Sequence, residues 1–148
     1  MGESEAGEAV PELPLLVVDG ANVVGSVPDG WWRDRRGAAE RLRDALAPVA
    51  DHGVPGERAD VPPWARTGPL EVLLVVEGAA RGVTAAQPGV RVEAAAGSGD
   101  DLIVEIVAAA LAARPGRRCL VVTADRGLRD RVTALGAGVT GPRAVRPV

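Results

Sequence analysis

Apolar residues along the chain fall into two alternating patterns, short unbroken runs and three- or four-residue spacings. Leu15-Leu16-Val17-Val18 is a continuous apolar run that stops at Asp19-Gly20, the signature of a strand buried on both faces. Leu70 to Val76 repeats the pattern and stops at Glu77-Gly78, and Cys119 to Thr123 repeats it again before Ala124-Asp125. A weaker strand is expected over Val90 to Ala94 and a last short one at Val139-Thr140. Ala38, Leu42, Ala45, Leu46 and Val49 recur at helical spacing, which predicts a helix from about Asp34 to about Ala50. Ser98-Gly99-Asp100-Asp101 precedes Leu102, Ile103, Ile106, Val107, Ala110 and Leu111, a helix with a polar N-terminal signature that Pro115-Gly116 stops. A third helix is expected from about Gly127 to Leu135, closed by Gly136. Residues 53–69 are dense in Pro and Gly and predict no regular element, and a loop of that length is either functional or mobile. Residues 1–13, rich in Glu, Gly, Ala and Pro, read as a flexible leader, 14–141 as one domain and 142–148 as a C-terminal tail.

Buried strands alternating with amphipathic helices predict an α/β fold, a central mainly parallel sheet with helices on both faces. In such sheets ligands sit at the carboxyl ends of the strands, near a switch in strand order. The predicted strand ends carry Asp19, Glu77 and Asp125, and the start of the middle helix carries Asp100 and Asp101. The acids therefore gather at the end of the sheet where a site belongs.

Composition narrows the chemistry. The chain has 148 residues, 47% hydrophobic and 25% charged, one domain's worth with enough apolar surface for a core. No apolar run approaches the roughly 20 residues of a membrane helix, so no membrane is expected as a partner. The first residues are acidic where a secretory signal is basic, which makes the cytoplasm the expected location. All 17 basic residues are Arg, a bias of the kind a GC-rich coding sequence produces, and the net charge is −3. A nucleic-acid partner would thus need a local basic patch rather than a bulk field. Two Arg clusters are candidates, Arg126, Arg129 and Arg131 after Asp125, and Arg33, Arg35 and Arg36 after Trp31-Trp32. Arg forks suit phosphates and indole faces suit bases, although a solvated helix face and packed loop tryptophans explain the same residues. The single Cys119 excludes an internal disulfide and a cysteine-rich zinc site, and reads as core. The single His52 removes most histidine chemistry, so carboxylates must carry any catalysis.

Each acid has an ordinary structural explanation. Asp19 can open a turn with Gly20, Asn22 can be a cap, Asp100 and Asp101 can cap a helix and complement its dipole, and Asp125 can be an N-cap. Glu77 and Glu105 can be solvated. What favours a site is the coincidence, since three separate segments deliver acids to one end of one sheet. Carboxylates crowded in this way repel one another unless a cation neutralises them. A hard divalent ion, Mg²⁺ or Mn²⁺, takes oxygen ligands and is bound through a few carboxylates and phosphate oxygens. The chemistry that follows is metal-assisted attack of water on a phosphodiester.

Three motifs carry a family resemblance. Val17-Val18-Asp19-Gly20-Ala21-Asn22-Val23-Val24 resembles the opening motif of the NYN family, the PIN-like metal-dependent ribonucleases that include the YacP-like proteins. Gly97-Ser98-Gly99-Asp100-Asp101-Leu102-Ile103 resembles the family's paired-acid helix start, and Val121-Val122-Thr123-Ala124-Asp125-Arg126 its strand-end motif. Order and spacing agree, and the resemblance spans about Leu15 to Gly141. It implies a PIN-like three-layer sandwich that cleaves RNA with Mg²⁺ or Mn²⁺. Asp19, Asp100, Asp101 and Asp125 would hold the ion and form the catalytic set with Asn22. Asn22, Thr123 and Arg126 would face the substrate, with Thr123 also supporting the strand-end acid. The RNA would be single-stranded or structured, free or ribosome-associated. Val76-Glu77 departs from the aromatic-Asp pair of related YacP-like proteins. The alternatives are a catalytically weak RNA- or ribosome-binding module, and a small phosphohydrolase using the same pocket. An aspartyl-phosphate route lacks its second acid, since Ala21 stands two residues after Asp19, and no Lys is present for a phosphate loop.

Overall fold

In the computed structural model, which describes residues 12–146, the three apolar runs and the two weaker segments become the strands of one sheet. These are β1 (Leu15–Asp19), β2 (Glu71–Val76), β3 (Val90–Ala94), β4 (Cys119–Val122) and β5 (Gly138–Thr140). Their order is β3-β2-β1-β4-β5, and every pairing is parallel. Five helices accompany them: α1 (Gly20–Gly25), α2 (Arg35–Ala45), α3 (Ala47–His52), α4 (Gly99–Ala113) and α5 (Arg126–Ala134). Of the leader expected over 1–13, residues 1–11 lie outside the described residues.

Strand alternation sorts the apolar side chains into two cores. Leu16, Val18, Val72, Leu74, Val76, Leu120 and Val122 pack on one face with Val23, Ala39, Leu42, Leu46 and Val49 from α1, α2, the α2–α3 junction and α3. Leu15, Val17, Leu73, Val75, Cys119 and Val121 pack on the other with Ile103 and Val107 of α4 and Leu128 and Val132 of α5. The result is the expected three-layer α/β sandwich, with the sheet apolar on both sides as parallel sheets are.

Two helical expectations need correction. The helix expected from Asp34 to Ala50 is broken at Leu46 into α2 and α3. Pro48 has no N–H to give to the carbonyl of Asp44, and its ring crowds that carbonyl, so the chain starts a second short helix. Directly after β1, where the sequence reads as a turn, the chain instead forms α1, capped by Asp19, whose side chain accepts from the Asn22 N–H.

The strand order places the site. From β1 the chain passes through α1, α2 and α3 to β2, and then to β3 at one edge. It next returns through α4 to β4, on the other side of β1. The crevice beyond the carboxyl ends of β1 and β4 is therefore a topological switch point. The loop over 53–69 is packed, with Val54, Val61 and Ala65 buried, and Arg66 donates to the carbonyls of Val61 and Arg58 at 3.1 and 3.0 Å. Its last residues line a cleft of about 620 Å³ with Pro14 and Arg117, at the amino ends of the strands and away from the acids. Within the stretch expected as a tail, Pro142–Ala144 forms a 3-10 turn, and Ala144 and Val145 are buried. Among the described residues no helix is long and apolar enough to cross a membrane.

Candidate active site

Asp19 ends β1 and is 5% exposed, the most buried carboxylate of the site. Its Oδ2 accepts from the Thr123 hydroxyl at 2.9 Å, and its Oδ1 from the Asn22 N–H at 3.3 Å. Thr123, just beyond β4, is itself fully buried, and its Oγ1 accepts from the Asp125 N–H at 3.1 Å. The Asn22 side-chain oxygen accepts from the Ala124 N–H at 2.8 Å. These bonds join the ends of β1 and β4 across the switch point and fix the Asp19 carboxylate from both sides. Arg129 adds a bond from below, Nε to the Thr123 carbonyl at 2.8 Å.

Three further acids stand at the same end of the sheet. Glu77, immediately after β2, accepts from the Gly99 N–H at 2.7 Å and so ties the end of β2 to the start of α4. Ser98 caps α4 by accepting from the Asp100 N–H at 3.1 Å, which sets Asp100 in the first turn. Asp125 caps α5, its Oδ1 accepting from the Leu128 N–H at 2.8 Å. Burial pushes Asp19 up to about 6; the bonds from Thr123 and Asn22 oppose the rise, and the negative charges of Asp100 and Glu77 add to it. Burial likewise raises Asp100, joined by Asp125, Glu77 and Asp101 and opposed by Arg131. Asp19, Glu77, Asp100 and Asp125 thus form one electrostatically coupled set, delivered by four segments.

The donor set consists of hard carboxylate oxygens, which suits Mg²⁺ or Mn²⁺ and not a soft or nitrogen-preferring ion. Among the described residues no three acids close around one point as a ready-made cage. The raised pKa of Asp19 and of Asp100 is the electrostatic cost that a bound cation would relieve.

The other expected residues take varied places. Asp101 turns outward and pairs with Arg131 at 3.1 Å, with two-thirds of its side chain exposed. Successive helical residues point about 100° apart, so the paired acids of α4 cannot both face the crevice in the same way. Thr123 has no surface for a substrate to touch, which corrects its assignment to substrate contact and makes it a positioning residue for Asp19. The Asn22 side chain is likewise engaged with the loop after β4. Arg126 and Glu105 are exposed, and Cys119 lies in the core, where burial pushes its thiol up to about 11. Glu77 is the residue the sequence undervalued. Its place after an apolar run marks it as a candidate, and nothing else in the sequence separates it from a solvated acid.

The solved structures that the chain resembles include two crystal structures of one protein. The chain is similar to Rae1 (YacP) from Bacillus subtilis, with a TM-score of 0.68 and 16% identity over 89% of this chain and 71% of that one. A tryptophan-to-leucine mutant of Rae1 gives a TM-score of 0.67 and 17% identity over 90% and 72%. What is shared is the fold, a central parallel sheet with helices around it. No protein-family model matches the chain, and no curated protein matches it.

Proposed function

We propose that the chain is a metal-dependent ribonuclease that hydrolyses RNA phosphodiester bonds at the switch-point carboxylates. The observation that carries this reading is the buried Asp19, locked by Thr123 and facing Glu77 and Asp100. Beyond their capping and strand-tying bonds, Asp19, Glu77, Asp100 and Asp125 lie close enough to repel one another, a cost that a bound cation would relieve. The three sequence motifs supply the substrate class, since they resemble those of the YacP-like ribonucleases, and the fold agrees with that of Rae1 (YacP).

Asp19, Asp100 and Asp125 would hold Mg²⁺ or Mn²⁺, with Glu77 beside them and Asp101 at the rim. Bound there, the ion supplies Lewis-acid polarisation of the phosphate and a nucleophile at neutral pH. Thr123 and Asn22 keep the Asp19 carboxylate from rotating, which holds the site in one geometry before substrate arrives. The bond from water oxygen to phosphorus forms as the bond from phosphorus to the 3′ oxygen breaks. The departing 3′ oxygen takes a proton, and the products carry a 5′-phosphate and a 3′-hydroxyl. The substrate is a cytoplasmic RNA, single-stranded or structured, free or on the ribosome.

The test is cleavage of end-labelled single-stranded RNA by purified protein with Mn²⁺, with Mg²⁺ and with EDTA, beside Asp100→Asn. Cleavage should require the ion and fall at least about a hundred-fold in the variant, the scale of losing a group that stabilises transition-state charge. Equal rates for wild type and variant would overturn the assignment.

A further inference from the structure

Beside the carboxylates lies a second, smaller cavity of about 170 Å³, the liquid volume of about six water molecules. Val24, Trp31, Ala39 and Val76 give it apolar walls, and Arg35 and Glu77 also line it. Glu77 belongs both to this cavity and to the coupled carboxylates, so whatever fills the one is held next to the other. The rim carries stacked cations. The Arg35 guanidinium lies 5.3 Å from the centroid of Trp31, and that of Arg33 lies 5.7 Å from Trp32. The two indoles meet edge to face at 6.1 Å, and Trp32 is 55% exposed. Among the described residues no carboxylate lies within 4 Å of Arg33 or Arg35. Their charge is therefore not offset by an ion pair among the described residues.

We propose that this cavity receives one unpaired nucleobase of the RNA whose backbone crosses the carboxylates, with Arg33 and Arg35 on the adjoining phosphates. The inference rests on the ribonuclease reading above and adds how the strand is gripped. A flat ring needs an apolar slot, an aromatic neighbour and one or two polar groups for its edge, and the cavity offers all three. Its volume is of the order of a single base. A duplex would keep its bases stacked inside the helix, so the substrate it selects is single-stranded at that nucleotide. An aliphatic side chain of a protein partner would fill the walls but leave Glu77 and the two arginines without a role.

The experiment uses short fluorescein-labelled single-stranded RNAs in which one abasic residue is moved along the sequence. Binding is read by anisotropy in the Asp100→Asn background and cleavage in the wild-type background. Wild-type surroundings should show one position, next to the cleaved bond, where losing the base weakens binding about ten-fold, the scale of one base–aromatic stack. Trp31→Ala should bind the intact RNA about ten-fold more weakly and be indifferent to the abasic residue at that position. Trp31→Phe should restore the discrimination, which a merely structural defect would not do. RNA that is bound and cut with no such position, or with the same position in Trp31→Ala, overturns the pocket and leaves the ribonuclease reading standing. RNA neither bound nor cut overturns both.

Discussion

Asp19 is where the molecule gives up stability. In the folded chain its carboxyl keeps a proton up to about 6, while 3.8 is its ordinary value and that of the unfolded chain. A raised folded-state pKa contributes stability that is complete below the ordinary value and is lost as pH rises through the folded one. The loss amounts to about 3 kcal/mol across that window, by the conversion of about 1.4 kcal/mol per pH unit. Asn cannot titrate, and its amide can still meet Thr123 and the Asn22 N–H. Asp19→Asn should therefore be more stable than wild type above pH 6 without divalent ions. Its advantage should shrink to nothing, or reverse, near pH 4. Asp100 and Glu77 face the same carboxyl and stay in both proteins, so the difference between the two curves isolates Asp19. Urea unfolding in EDTA from pH 4 to 8 reads it. A variant less stable at pH 8 would show that the two hydrogen bonds outweigh burial.

At the scale of elements, β1 carries Asp19 to the crevice and the short α1, packed on the backbone of β2, supplies the Asn22 N–H that holds it there. A Cβ at Gly20 would stand 2.5 Å from the Val75 carbonyl oxygen. Because the neighbour is main chain and cannot swing aside, Gly20→Ala should cost about 2 kcal/mol. It should also lower cleavage, since the next residue back is Asp19. Thermal unfolding and RNA cleavage on the same preparation check both, and a variant of wild-type stability would mean that α1 moves freely on the sheet. The strands were legible in the sequence because runs such as Leu15–Val18 and Leu73–Val76 are apolar at every position, as burial on both faces demands. α1 was not legible, since Asp19-Gly20-Ala21-Asn22 satisfies turn chemistry equally well and six residues are too few to show a period. The break at Leu46 was written in Pro48 but outvoted by the apolar spacing on both sides of it. Of the site, Asp19, Asp100 and Asp125 could be found from strand and helix ends. Glu77 could not be told from a solvated acid, because its partner Gly99 lies 22 residues away and only the return of the chain through α4 makes them neighbours.

Across the whole molecule the parallel sheet separates chemistry from tethering. All strands point the same way, so their carboxyl ends gather the acids and their amino ends gather Arg117. That side chain is 9% exposed. Its Nε and one terminal nitrogen donate to the Leu13 carbonyl at 3.0 and 2.9 Å, and the same terminal nitrogen reaches Glu71 at 2.7 Å. It therefore fastens the chain leading into β1 to the first residue of β2. Burial would raise the Glu71 carboxyl, but Arg117 and Arg91 outweigh it and hold the group below its ordinary range. A lowered pKa gives stability that is present above the ordinary value of 4.5 and fades as pH falls through the folded-state value. Arg117→Ala should thus cost about 1–2 kcal/mol at pH 7, a figure kept modest because Glu71 is partly exposed and keeps Arg91. The deficit should narrow in acid. Cleavage per folded molecule should be unchanged, because the substitution and the carboxylates lie at opposite ends of strands whose buried pairings do not change. Urea unfolding at pH 7 and pH 4 with RNA cleavage at pH 7 tests each part. A fall in cleavage at full folding would mean that strain at the amino ends reaches Asp19 along β1, making the sheet a transmitter between its two ends.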